Sequence, residues 1–210
     1  MDVERELKYS TTEAHVPSLA ELEAATRGSG LALGTPTVER YVDVYFDTPA
    51  GDLRAAGFAL RRRHRPSGTY ATLKGAVRLE GGLHSRPELE LPLDADGSWP
   101  AAVLAALPPG ADRGRLAPVA ELRVERVKLV ARDERGPVAE LAFDAVECGS
   151  PSHEGGTVTF NEVEVEALGH GADVEDRMRA LADAVGTIVP LTPSSASKLE
   201  RALALLSAFG

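Results

Sequence analysis

The residues best suited to chemistry in this sequence are carboxylates and cations spaced two apart. In "VERELKYS", Glu4, Glu6 and Lys8 occupy alternate positions, and Val3, Leu7 and Tyr9 fill most of the positions between. Successive side chains of an extended chain point to opposite faces, so the three charged groups share one face. The same spacing returns as an acidic set, Glu162, Glu164 and Glu166, and as a basic set, Arg61, Arg63 and Arg65. Clustered carboxylates suit a hard divalent cation such as Mg2+ or Mn2+, which takes oxygen ligands and commonly bridges to phosphate. Arginine and lysine supply donors for phosphate oxygens, arginine in a two-pronged fork. Together these needs describe a polyphosphate bound with a metal ion.

The elements that must position these groups repeat the pattern. Thr72 and Lys74 lie opposite Ala71 and Leu73; Arg86, Glu88 and Glu90 alternate with Pro87, Leu89 and Leu91. Arg126 and Lys128 alternate with Val127 and Leu129, as Glu140 and Asp144 do with Leu141 and Phe143. One strand of this kind is usually a solvated face. Recurrence through most of a sheet implies instead that the charged side lines a watery interior, with the apolar side outward beneath helices, because burying many unpaired charges is prohibitive. Strands are expected at 2–10, 37–47, 57–65, 69–76, 83–93, 121–133, 137–147 and 157–168. Eight antiparallel strands suffice to close or nearly close a barrel. Helical spacing at 18–30, 99–107, 172–186 and 194–209 supplies the cover, giving an α+β fold. The Pro- and Gly-rich stretches 108–118 and 149–156 read as loops, the former as a hinge between two halves of one sheet.

These residues resemble the CYTH domain of the triphosphate tunnel metalloenzymes. The resemblance rests on "ERELK" (Glu4, Glu6, Lys8), "YFDTPAGDLRAAGFALRRR" (45–63), "TLKG" with Lys74 and "RPELE" with Arg86, Glu88 and Glu90. It continues through the basic strand with Arg126, Asp144, "EVEVE" and "SASK" ending at Lys198, in the family's order from the first strand to the last helix. It implies a single CYTH domain over 1–210, built as an eight-stranded antiparallel β-tunnel with helices packed outside. It further implies hydrolysis of a small triphosphate with Mg2+ or Mn2+. Carried over by position, Glu4, Glu6, Glu162 and Glu164 hold the metal, with Glu166 as a further candidate. Arg61, Arg63, Lys74, Arg126 and Lys198 bind phosphates, Arg86 and Lys128 joining them, and Lys8 sits near the terminal phosphate or the attacking water. Asp144 and Glu88 or Glu90 orient the basic residues or hold a second metal. The chain departs from the family where a Lys-x-Arg pair is common: Val124 precedes Arg126, leaving Arg123 or Lys128 to supply that contact.

Composition narrows the rest. The chain has 210 residues, enough for one large domain, and a net charge of -9 argues against a general nucleic-acid partner, which requires a dominant basic footprint. No membrane span is legible, no signal peptide precedes the first strand, and a single cysteine, Cys148, favours a reducing cytoplasmic compartment. Cys148 has no paired His or Asp, and His15, His64, His84, His153 and His170 form no ligand spacing, so all six are expected to be structural or surface residues. Inorganic triphosphate ranks first as substrate because it needs no contact to a base or a thiazole; thiamine and nucleoside triphosphates follow. The alternatives are a class IV-type adenylate cyclase and a non-catalytic polyphosphate-binding module. No oligomer interface is legible, and a homodimer stays an open expectation.

Overall fold

The computed structural model describes residues 2–94, 96–149, 156–169, 171 and 173–209. Most of the loop expected at 149–156, including His153, and His170 lie outside the described residues. In chain order the elements are β1 (Asp2–Thr11), α1 (Leu19–Thr26), β2 (Ala32–Leu33), β3 (Thr37–Asp47), α2 (Asp52–Ala55), β4 (Ala59–Arg65), β5 (Gly68–Lys74), β6 (Arg78–Glu80) and β7 (Leu83–Pro92). There follow α3 (Ala101–Ala105), β8 (Ala117–Asp133), β9 (Gly136–Gly149), β10 (Val158–Ala167), α4 (Val174–Gly186), β11 (Thr192–Pro193) and α5 (Lys198–Phe209). No helix among the described residues is long and apolar enough to cross a membrane.

Eight antiparallel strands run β1-β10-β9-β8-β3-β4-β5-β7, and pairing of β7 with β1 closes the ring. Closure joins Glu4 to Arg86 and Glu6 to His84 as register partners, and β10 places Glu164 beside Lys8 and Glu166 beside Glu6. The hairpin between β8 and β9 shows how local chemistry sets the register. Asp133 accepts from the backbone N–H of Arg135 at 2.7 Å and of Gly136 at 3.0 Å, and Gly136 takes the φ of 133° that other residues resist.

Two apolar clusters cover the outside of the barrel. Leu129, Leu141, Val163 and Val165 meet Met178, Leu181 and Val185 of α4 and Leu22 of α1. Leu60, Ala71 and Leu73 meet Leu53 of α2 and Val103 of α3. Fully burying one such leucine is worth about 1.5–3 kcal/mol, which is why α4, with apolar residues every three or four positions, seats firmly. Helix α1 starts at a capping box: Glu21 accepts from the Ser18 N–H at 2.8 Å while its own N–H donates to Ser18 Oγ.

A third cluster corrects the expectation that the inner side is charged throughout. Tyr41, Leu122, Val124, Val146 and Phe160 share strand parity with Asp43, Arg126, Asp144 and Glu162, yet they pack with Leu199 and Ala202 of α5. The last helix therefore lies against the inner wall at one end, where apolar side chains meet it in place of water. Boundaries differ too. Strand β8 begins at Ala117, inside the stretch expected to be loop, because it pairs with β3 through a register shift at Tyr45/Phe46. Helix α5 begins at Lys198, four residues later than expected, since Thr192–Pro193 is an extended strand on β1. The short elements β2, α2, β6 and β11 carried no periodic signal.

Candidate active site

The basic wall is built by β4, β5, β7 and β8. Arg63 donates to both oxygens of Asp43 at 2.7 Å, and Arg61 Nη1 reaches the same carboxylate at 3.1 Å. The Arg63 guanidinium also lies 3.9 Å over the Tyr41 ring. Arg126 donates to Asp144 at 2.7 and 2.6 Å, and Lys128 is held between Glu39 at 2.8 Å and Glu140 at 3.2 Å. Each cation is thus aimed by a carboxylate behind or beside it, which fixes a long side chain before any ligand arrives.

The acidic wall is β1 and β10. Glu4 accepts from Lys74 and, at 2.8 Å, from Arg86, whose Nη2 donates to Glu6 at 3.0 Å. Lys8 lies 3.6 Å from Glu6 and 3.7 Å from Glu164. Lys198 reaches Glu164, Asp144 at 2.8 Å and Glu162 at 3.1 Å. Its placement starts in local sequence: Ser197 Oγ accepts from the Glu200 N–H at 3.2 Å and Glu200 accepts from the Ser197 N–H at 2.7 Å, so Lys198 is the first residue of a capped helix.

Between the walls lies a cavity of about 250 Å³. It is lined by Glu4, Lys8, Arg61, Arg63, Lys74, Arg86, Glu88, Glu90, Arg126, Lys128, Glu164, Glu166 and Lys198, thirteen of the sixteen residues singled out from sequence. Glu6, Asp144 and Glu162 are not on its surface; they are buried behind Arg86, Arg126 and Lys198. Glu88 lies 3.4 Å from Lys74 and 4.0 Å from Arg61, and Glu90 accepts from Arg65 at 3.0 Å and Thr72 at 2.9 Å. Of the two cations offered for the missing pair, Lys128 lines the cavity, whereas Arg123 sits on the outer face with Glu121 and Glu147. Val124 faces inward but belongs to the apolar cluster packed by α5.

Sequence reasoning passed over Asp43, which is completely buried, and the lining residue Glu39; it put Arg65 and Glu140, which also line the cavity, on charged faces without giving either a role. The alternation Glu39, Asp43 along β3 was the available signal, and the tyrosines at 41 and 45 between them mask it.

Burial opposes ionisation of Glu4, but Lys74 and Arg86 overcome it and hold its carboxyl far below the usual range. Asp144 and Glu164 are lowered against burial by Lys198 and Arg126. Glu166 behaves oppositely: burial, then the charge of Glu4, push it up to about 7, with Glu6 and Glu164 adding to the rise. Burial and the nearby Arg86 lower Lys74, while Asp144 and Glu164 lift Lys198 despite its burial.

A divalent cation fits this donor set. Glu6 and Glu166 are register partners on adjacent strands, a like-charge pair that costs energy unless a cation or proton lies nearby. Both oxygens of Glu162 are buried without a well-aligned hydrogen bond, although Lys198 at 3.1 Å and Arg201 at 3.5 Å balance its charge. Among the described residues no three carboxylates already converge on one point; Glu4, Glu6 and Glu164 are turned to their lysine and arginine partners.

A model of the CYTH domain matches residues 2–202. The chain belongs to the CYTH domain family. No curated protein sequence matches it significantly. Among solved structures, this CYTH domain is similar to HpAC1 from Hippeastrum, described as an adenylyl cyclase candidate with a dominant triphosphatase activity, at 21% identity over 93% of each chain with a TM-score of 0.56. It is also similar to an adenylate cyclase candidate of Bacillus halodurans, at 15% identity over 96% of this chain and 98% of that one, TM-score 0.55. A Pyrococcus horikoshii protein matches at 18% identity over 97% and 99%, TM-score 0.54. At these identities the likeness is one of fold.

Proposed function

We propose that this CYTH domain hydrolyses inorganic triphosphate to orthophosphate and pyrophosphate with Mg2+ or Mn2+. The observation that carries the reading is the convergence of Arg61, Arg63, Lys74, Arg126, Lys128 and Lys198 on one cavity whose opposite wall is the carboxylate pair of strands β1 and β10. A general anion site would need only the cations. The carboxylates opposite them supply oxygen ligands for a hard metal ion.

Arg61 and Arg63, fixed by Asp43, and Arg126, fixed by Asp144, donate to the phosphate oxygens and stabilise charge spreading over them as the terminal anhydride bond breaks. Glu4, Glu164 and Glu166, which line the cavity, would hold the cation, with Glu6 and Glu162 reaching it once Arg86 and Lys198 turn to the substrate; the cation would supply charge neutralisation and polarisation of the terminal phosphate. Lys8, between Glu6 and Glu164, is the lysine we assign to that phosphate or to the attacking water. Water is the acceptor, and no protein nucleophile is needed. The lining supports an inorganic substrate: among the described residues Tyr45 is its single aromatic, and none of them forms an apolar slot for a base.

Phosphate release from a panel of inorganic, thiamine and nucleoside triphosphates, with magnesium and with manganese, tests the proposal. Highest kcat/KM on inorganic triphosphate is expected. Cyclic AMP and pyrophosphate formed from ATP, without phosphate release from inorganic triphosphate, would replace it with the cyclase reading. Tight binding without turnover in either metal would leave a binding module.

A further inference from the structure

We infer that a second cavity, reached past Lys8 and Arg86, is a binding site for the released orthophosphate; this rests on the proposed hydrolysis. The cavity measures about 150 Å³ and shares Lys8, Ala59, Arg86, Ser197 and Leu199 with the main one, so these residues form the partition between the two. That is room for a small tetrahedral oxyanion.

Its lining holds far fewer carboxylates than that of the main cavity. Three cations line it, Lys8, Arg86 and Arg54, against one carboxylate, Glu200. Burial and Lys8 lower the pKa of His84, which disfavours its charged form. Glu200 is occupied in capping α5. Arg54 is the exposed member, on α2, and it has no carboxylate partner among the described residues. Its backbone is pinned by the Arg54 N–H donating to Asp47, so the guanidinium stands at the outer rim on a fixed stem. Ser195, exposed on the connection to α5, brings a hydroxyl to the same lining. A phosphate cleaved beside Lys8 thus meets cations on both sides of the partition and a free arginine at the rim, a graded path for a small anion.

The experiment is calorimetric titration of inorganic phosphate into protein whose main cavity is filled with the non-hydrolysable imidotriphosphate. Wild type is expected to bind one phosphate. Arg54→Glu should weaken that binding about tenfold or more, the scale of one charge-assisted hydrogen bond, and Ser195→Trp, which fills the cavity from an exposed position, should abolish it. Both variants should keep the wild-type affinity for imidotriphosphate, which also shows that they fold. Loss of phosphate binding once imidotriphosphate is present, or equal binding by wild type and both variants, overturns the inference. The readout is binding, so absence of triphosphate turnover would remove the proposed function while leaving this result legible.

Discussion

Asp43, with no exposed surface, accepts from Arg63 through both oxygens at 2.7 Å and from Arg61 at 3.1 Å, so one buried carboxylate aims two of the cavity's arginines. Despite the cost of burial, Arg61 and Arg63 keep its carboxyl below the usual range. Removing one partner of a buried ion pair typically costs about 3–5 kcal/mol because the other charge is stranded. Asp43→Ala should therefore lower stability by about that amount, read by urea unfolding. It should also raise KM for inorganic triphosphate. Wild-type KM in a folded Asp43→Ala protein would show that the arginines are aimed by something else.

Glu4 ties Lys74 and Arg86 together and faces the cavity, whereas Glu6 lies buried behind Arg86. Glu4→Ala and Glu6→Ala should each reduce metal-dependent phosphate release at least a hundredfold, about 2.7 kcal/mol or more of transition-state stabilisation. Titration with manganese should show weakened dependence on the metal in both. Full activity in both variants would remove the metal-carboxylate mechanism.

Lys128 and Arg123 separate the inner face of β8 from the outer. Lys128→Ala should raise KM for inorganic triphosphate several-fold, on the order of 1 kcal/mol for a charge held partly in water. Arg123→Ala should leave kcat and KM unchanged, its surface pairs with Glu121 and Glu147 being worth little. The reverse pattern would mean that β8 presents its other face to substrate.

The pH dependence of stability has two limbs with opposite signs. Glu4, Asp43, Asp144 and Glu164 have lowered pKa values in the folded state, so their stabilisation is present above the unfolded values near 4 and is lost as pH falls through the folded ones. Glu166, raised from 4.5 to about 7, binds a proton in the folded state that the unfolded chain lacks, so stability rises as pH drops from 7 towards 4.5. Metal-free protein should be most stable near the lower end of that window, as followed by urea unfolding at each pH. Glu166→Gln should erase the upper limb and spare the acid one. Added magnesium, by favouring ionised Glu166, should flatten the same limb.

Cys148 is fully buried in the cluster under α5, and burial pushes its thiol up to about 11. A thiolate-directed reagent should label it only at the rate of unfolding, and a truncation that removes α5 should make labelling fast. Rapid labelling of the intact native chain would place α5 away from the inner wall.

Alternation was legible in the sequence because period two is a local property: Glu4, Glu6 and Lys8 share a face wherever the strand goes. That rule, applied to Arg61, Lys74, Arg86, Arg126 and Glu164, identified the strands of the ring and most residues lining its cavity. Parity states which residues share a face, but not which cation each carboxylate will meet or where along the barrel the inner wall turns apolar. Those were decided by register and closure. Pairing of β1 with β7 brings Arg86 onto Glu4 and Glu6 across 80 residues of chain or more, and pairing of β3 with β4 sets Asp43 against Arg63. Seating of α5 on Leu122, Val124 and Phe160 makes one end of an otherwise charged interior apolar. Each depends on contacts between distant segments, whose free energy exists only once the whole ring has formed.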